Sequence, residues 1–302
     1  VLGNYRPYIM KLTIERGLLM KVLGHVQSVV ERRNTIPVLS NVKFDAQSES
    51  LSLNSTDMDI DIVETVPAAV ETSGSTTAPA HTLFDIVRQL PEGSQVELDN
   101  TEDSQNLVLN SGGSKFTLSC LPTEDFPVLS GDELPHNFEL PAKALRTLID
   151  RTKFAISTEE TRYYLNGIYI HVSDVDGTTK LRAVATDGHR LAKVEVDCPQ
   201  GAESMPGVIV PRKAVTELRK LAEEFGENIR VSVSDTRIRF SFDGVVFTTK
   251  LIDGTFPDYG RVIPTGNDKV LEVNTSDFSE AVSRVSDISS DKSRAIKLGL
   301  TA

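Results

Sequence analysis

The chain has 302 residues, of which 39% are hydrophobic and 25% charged. These are ordinary globular proportions, with a length that suits two domains of about 150 residues, and they exclude a disordered or collagen-like chain. Its net charge of −11 excludes a protein that coats nucleic acid with its whole surface, and no apolar run reaches the roughly 18 residues of a membrane-spanning helix. The two cysteines, Cys120 and Cys198, form no CxxC pair. A disulfide framework and a zinc or thioredoxin-type site are therefore unsupported, and a reducing, cytoplasmic setting with no membrane partner is expected.

Residues Val1–Ile9 lack the basic start and apolar core of a signal peptide and are expected to be an extension. A regular pattern begins at Met10. The first helix is predicted from Leu18, Leu19, Val22, Leu23, Val26, Val29 and Val30, which form an apolar face, with Lys21, His25, Ser28 and Arg32 on the opposite stripe. Next come short alternating segments, including Leu39–Asp45 and the acidic TDMDIDI run. A second helix follows at Leu83–Leu90, with Asp85 against Arg88. SGGSK, at Ser111–Lys115, sits between two strands and reads as a hairpin turn rather than a phosphate-cradling loop. A polar seam at Leu129–Asn137 leads to a third helix, where Leu145, Leu148 and Ile149 face inward and Lys143, Arg146, Asp150 and Lys153 face out. Beyond the polar turn of ATDGHRL (Ala185–Leu191), a fourth helix buries Val215, Leu218, Leu221 and Phe225 and exposes Arg212, Lys213, Arg219 and Lys220. A second polar seam lies at Pro264–Lys269.

These segments repeat. Pro79 and Pro211 each precede an amphipathic helix, a turn and an alternating strand, at an offset of 132 residues. Two strands joined by a glycine turn then lead to Phe-Pro in both halves, ending at Pro127 and Pro257, 130 residues apart. Leu39–Asp45 corresponds to Leu165–His171, and Ser55–Asp57 to Ala185–Asp187. A third copy is expected to open at Leu271–Val285, echoing Leu12–Val26 and Phe138–Thr152. The expected organisation is an α+β chain with an extension at 1–9, repeated domains at 10–131 and 132–265, and the start of a truncated third at 266–302.

The four helical segments together carry a net +6, leaving −17 for the strands and loops. Such a chain presents a polyanion with one attractive surface and repels it elsewhere. Without an aromatic platform beside the basic stripes, duplex binding is favoured over single-strand stacking.

Asp57, Asp59 and Asp61 alternate with apolar residues, which predicts three carboxylates on one strand face. The competing functional reading built on them is a metal-dependent hydrolase or nuclease. As an EF-hand loop the run fails, because Ile62 and Ala68 occupy the positions that need Gly and Glu. Asp187 and His189 lack a nucleophile elbow or an HExxH partner. No catalytic, metal or cofactor site is therefore assigned.

The sequence resembles the bacterial DNA polymerase III beta subunit family, the sliding clamps. The resemblance is carried by Arg162–Gly167 (RYYLNG), Ala183–Leu191 (AVATDGHRL), Val208–Lys213 (VIVPRK) and Thr248–Val262 (TTKLIDGTFPDYGRV). Phe84–Gly93 and Phe116–Pro127 support it in the first repeat, and it extends from Met10 to about Leu300. It implies tandem DNA-clamp domains, two complete and a third truncated, with helices lining a ring and antiparallel sheets outside. It further implies a non-catalytic processivity factor that encircles double-stranded DNA without sequence specificity. Its partners would be the DNA polymerase III core, the clamp loader and other proteins bearing clamp-binding peptides. At full length it would form a head-to-tail homodimer.

By position the resemblance implies a peptide site at Leu165, Thr186, Gly188, His189, Arg190, Leu191, Pro257, Arg261 and Val262. DNA contacts are implied at Arg33, Tyr163 and Tyr164, joining Lys143, Arg146 and Lys153 of the basic stripe. The implied dimer interface takes Phe116 and Leu118 on one side and Asp287 and Ile288 on the other. Gly260, Glu159 and Asp287 depart from the family pattern.

Overall fold

The computed structural model describes residues 9–127, 133–288 and 296–299. The expected extension at 1–9 and the boundary between 131 and 132 therefore fall almost wholly outside the described residues. Two bodies separate, residues 1–256 and 257–302.

The first body is built from one β-α-β-β-β plan used four times. β1 (Lys11–Glu15), α1 (Arg16–Val29), β2 (Asn41–Gln47), β3 (Ser50–Thr56) and β4 (Ile60–Pro67) make the first copy. After the short β5 (Ala69–Thr72), the second copy is β6 (Gly74–Pro79), α2 (Ala80–Gln89), β7 (Gln95–Asp99), β8 (Asn106–Ser111) and β9 (Ser114–Ser119). The third is β10 (His136–Pro141), α3 (Ala142–Asp150), β11 (Gly167–Val175), β12 (Thr178–Thr186) and β13 (Leu191–Asp197). The fourth is β14 (Val208–Pro211), α4 (Arg212–Glu224), β15 (Asn228–Val233), β16 (Arg237–Ser241) and β17 (Val245–Lys250).

Proline sets the strand-to-helix switch in three copies. Pro79, Pro141 and Pro211 each stand at the cap position before a helix, with φ between −58° and −60°. Proline holds the residue before it extended, so the strand runs up to it, and its fixed φ already suits the turn into a helix. In the first copy Glu15 does this work, its carboxylate accepting from the Leu18 N–H at 2.8 Å.

Paired copies exchange their first strands. β1 joins β7 while β6 joins β2, and β10 joins β15 while β14 joins β11, all antiparallel. The strand orders are β5-β1-β7-β8-β9, β13-β12-β11-β14, and an eight-stranded sheet β10-β15-β16-β17-β4-β3-β2-β6. The last strand of the fourth copy is thus hydrogen-bonded to the last strand of the first, with Phe247 opposite Ile62 and Val245 opposite Glu64. Where β11 passes β14, Gly167 faces Pro211, and a Cβ on it would lie 2.3 Å from the Val210 carbonyl oxygen.

Alternation buries one face of most strands, as Leu12 and Ile14 of β1 show, and the helices supply the opposing apolar stripes. Leu19, Val22, Leu23, Val26, Val29 and Val30 in and after α1 and Val215, Leu218 and Leu221 of α4 are buried as the periodicity predicts, whereas Leu18 is only half-buried. Phe225, expected in the core, ends α4 only half-buried, and Lys153 lies in a 3-10 turn beyond α3. The hairpin at Gly112-Gly113 forms between β8 and β9 as expected.

The second body holds a 3-10 turn at Tyr259–Val262 and α5 (Thr275–Asp287), capped by Asn274, whose Oδ1 accepts from the Ser276 and Asp277 N–H groups. No strand forms at Leu271–Val273, although the sequence echo predicts one. In the first and third copies that strand pairs with a strand after a later helix, β1 with β7 and β10 with β15, and no such partner follows among the described residues of this body.

Candidate functional site

Within residues 1–256 the four helices form a row. α1 packs on α2 and α3 on α4, and side chains join α1 to α4: Lys21 Nζ lies 2.7 Å from Glu224 Oε1, and Lys213 Nζ donates to the Val29 carbonyl at 3.1 Å. Lys213 also pairs with Glu31 in the loop after α1 and, at 2.6 Å, with Asp57 in the turn between β3 and β4. Arg219 of α4 reaches Asp150 of α3 at 2.8 Å.

Many of the cations that make the helices basic are therefore matched locally. Lys153 pairs with Asp150, Lys220 with Glu217 and Arg88 with Asp85. Arg146 donates from Nη1 to the Ala222 carbonyl at 2.5 Å and is half-buried. Arg32, Arg33, Lys143, Arg151 and Arg212 are exposed and engage no carboxylate among the described residues. Arg33 lies in the loop after α1. Tyr163, 54% exposed, meets Tyr164 edge-on at 5.8 Å, beside the Arg162–Glu159 pair at 2.7 Å.

His25 does not lie on an open stripe, as the helical spacing predicts. It is largely buried between Glu64 of β4 and Glu224 of α4. The pattern within one helix says nothing of a second helix brought alongside it, and that neighbour covers the residue.

The ATDGHRL segment forms a tight turn between β12 and β13. Asp187 Oδ1 accepts from the His189 and Arg190 N–H groups at 3.0 Å each, and Oδ2 from Arg190 Nε at 2.9 Å. Burial acts to raise the Asp187 carboxyl, but these donors outweigh it and hold the carboxyl down to about 2. Thr186 Oγ1 donates to the Arg190 carbonyl and accepts from the Gly188 N–H. Gly188 has φ +88°, and a Cβ there would stand 2.6 Å from Arg162 Nη1. Arg162 thus brings the Glu160–Leu165 turn against this hairpin. Leu165 is buried, Leu191 half-buried, and Thr186, His189 and Arg190 stay partly or fully exposed.

Sequence reasoning missed Phe154. Its ring, 54% exposed, lies 5.6 Å from the Arg190 guanidinium. Nothing in the sequence around the third helix links Phe154 to Arg190, so only the spatial neighbour reveals it. Pro257, Arg261 and Val262 belong to the second body, where Arg261 pairs with Asp258 at 2.8 Å and Val262 is 67% exposed. Phe116 and Leu118 lie on β9, an edge strand, with Leu118 buried and Phe116 37% exposed. Asp287 ends α5, and Ile288 follows it at 84% exposure.

The acidic run does not form one strand face. Asp57 and Asp59 lie in the turn between β3 and β4, with Met58 at φ +78°, and only Asp61 is in a strand. The turn breaks the two-residue alternation on which the prediction rests. Asp57 Oδ1 accepts from the Asp59 and Ile60 N–H groups, its Oδ2 pairs with Lys213, and Asp59 pairs with Lys250 at 3.1 Å. Burial pushes Asp61 up to about 6, against the pull of Asn54 and Arg239. Among the described residues no three His, Cys, Asp or Glu side chains converge as a metal site. The single carboxylate face on which the hydrolase reading rests does not form, because Asp57 and Asp59 sit in a turn and pair with Lys213 and Lys250.

Doubled β-α-β-β-β modules, joined last strand to last strand beneath a row of helices, define a clamp-type fold. Profiles of the DNA polymerase III beta subunit match this chain, the N-terminal domain over residues 10–130 and the central domain over 139–258. The chain belongs to the DNA polymerase III beta subunit, or beta sliding clamp, family. It is 53% identical to the beta sliding clamp of Caulobacter vibrioides over 291 residues, which is 96% of this chain and 78% of that protein. With the Escherichia coli K12 beta sliding clamp the identity is 38%, covering 96% and 77%. A crystal structure of the Caulobacter crescentus beta sliding clamp superposes with a TM-score of 0.92 at 53% identity, over 94% of this chain and 76% of that one. The Bartonella birtlesii sliding clamp bound to griselimycin gives 0.90 at 52%, over 94% and 76%.

Proposed function

We propose that this chain is a sliding-clamp subunit, a non-catalytic factor that keeps the replicative DNA polymerase on double-stranded DNA. The observation that carries the reading is the row of four helices with Arg33, Lys143, Arg151 and Arg212 exposed and unmatched, on a chain whose net charge is −11. Scattered cations hold phosphates without reading bases, so a duplex is retained and still slides.

The proposed domains are 10–131, 132–265 and 266–302. Closure would join the β9 edge, with Phe116 and Leu118, to the surface around Asp287 and Ile288 of a second copy, giving a head-to-tail homodimer at full length. Leu165, Thr186, Gly188, His189, Arg190 and Leu191, with Pro257, Arg261 and Val262, would take short apolar peptides of the polymerase core, the clamp loader and other clamp-binding proteins. DNA would be met by Arg33, Lys143, Arg146, Lys153, Tyr163 and Tyr164. No helix is long and apolar enough to cross a membrane among the described residues, which is consistent with the proposed cytoplasmic location.

The test is retention of the chain, extended to its relatives' length, on nicked circular DNA after loading. Release on linearisation supports topological encirclement. Equal retention on linear and circular DNA contradicts it.

A further inference from the structure

The joint between the two family domains contains a histidine held by a carboxylate on each ring nitrogen. His25 Nδ1 lies 2.7 Å from Glu64 Oε2, and Nε2 lies 2.7 Å from Glu224 Oε2. A neutral imidazole carries one N–H and satisfies one such acceptor. Two carboxylates are satisfied together only by the imidazolium.

The two acids come from different domains. Glu64 is on β4, 4% exposed, opposite Val245 in the ladder that joins the domains. His25 is its one hydrogen-bond donor among the described residues. Glu224 ends α4 and also takes Lys21 Nζ at 2.7 Å, while the Phe225 ring lies 5.8 Å from the imidazole and 5.2 Å from Lys21 Nζ. The charged groups that face His25 are therefore Lys21 on its own helix, Glu64 from β4 and Glu224 from α4. On α2, His81 bonds instead to Gln27 and the Val30 carbonyl, and Asp85 pairs with Arg88. β3 contributes only the Ser55 hydroxyl, donated to the Val26 carbonyl. Two anions and Lys21 balance only when His25 is charged.

We propose that His25 is a cationic cross-link that fastens the N-terminal domain to the central domain beside the β4–β17 ladder, and that this joint loosens when His25 loses its proton. This cross-link is independent of DNA and peptide binding, since it only holds two domains of one chain together.

Burial alone would lower the His25 pKa, but the hydrogen bonds and charges of Glu64 and Glu224 outweigh it and hold the value above the ordinary one. A raised folded value means that the stabilisation is complete below the unfolded value of about 6.5 and is lost as pH rises through the folded one. Beyond that point the imidazole gives up one of its two donors, and either Glu64 or Glu224 loses its bond to the ring.

The test uses the whole 302-residue chain. Long-range 15N–1H spectra of the imidazole should show both nitrogens of His25 protonated in most molecules at about pH 6.5. The titration midpoint should lie above about 6.5 and fall in Glu224→Gln. Amide exchange of the β4–β17 ladder, corrected for intrinsic rates and referenced to the β2–β3 ladder, should accelerate about tenfold as pH crosses that midpoint. In His25→Gln it should be fast throughout. A His25 mostly neutral at about pH 6.5, or wild-type ladder protection that ignores pH, overturns the proposal. Glu224→Gln keeps the buried Glu64 partner, so the midpoint measurement stands even where His25→Gln fails to fold.

Discussion

The guanidinium of Arg190 is held from two sides, by the Asp187 carboxylate at 2.9 Å and by the face of the Phe154 ring at 5.6 Å. An otherwise exposed, rotamer-rich side chain is thereby set in place before any ligand arrives, and the entropy of ordering it is already spent. Phe154 offers its remaining exposed surface beside the same hairpin.

Replacing Phe154 by Ala is expected to weaken binding of a Leu- and Phe-bearing clamp-binding peptide about two- to fivefold, the range of an exposed cation–π contact of roughly 0.5–1 kcal/mol. Phe154→Tyr should restore it. Fluorescence anisotropy with a labelled peptide measures both, and equal affinity of the Ala variant would remove Phe154 from the site.

Gly188 is expected to resist substitution. Its φ of +88° disfavours any side chain, and a methyl group would meet Arg162 Nη1. Gly188→Ala should lower stability by about 1–2 kcal/mol, read from the midpoint of urea unfolding, and should displace Arg162 from the turn. An unchanged midpoint would mean that the hairpin relaxes freely.

The Asp61 effect has the same sign as that of His25, because both groups hold their proton more tightly in the folded chain. Its folded carboxyl, near 6, lies above its unfolded value, so the folded chain loses stability as pH rises from about 4 to 6. Asp61→Asn is expected to stabilise the chain by about 1–3 kcal/mol at pH 8 and by almost nothing below pH 4. Urea melts at the two pH values check this. A gain of equal size at both would assign the effect to packing rather than to charge.

Lys143 and Arg146 are both basic residues of α3 but should separate on mutation. Lys143 is exposed and unmatched, whereas Arg146 is bonded to the end of α4. Lys143→Glu is expected to leave thermal stability within about 0.5 kcal/mol and to reduce retention on circular DNA. Arg146→Glu should cost about 1–2 kcal/mol by removing the donor of Ala222. Differential scanning fluorimetry beside the retention assay distinguishes them.

The repeat, the four helices and their apolar faces were legible because each rests on spacing along one segment. Pro79 and Pro211 announced their helices through backbone constraint alone. What failed to show were contacts made by segments far apart in the chain. His25 read as solvent-facing because α4 lies some 200 residues away in sequence, and Phe154 was passed over because nothing nearby in sequence points to Arg190. Asp57 and Asp59 misled for a different reason. Alternation was extended through a turn that Met58 makes by adopting a positive φ. The exposed cations were legible as a set, but which of them remain unmatched depended on acids from neighbouring helices.

In the large sheet, β17 and β4 occupy the same place in their respective copies, each being the final strand of its unit. In the two smaller sheets, the edge strands β9 and β13 are of that same type. A piece whose internal seam and whose two margins are all one kind of edge behaves like a tile: further units could be added at either margin by the bonding rule already used within it. Growth by duplication would then have needed no new kind of contact.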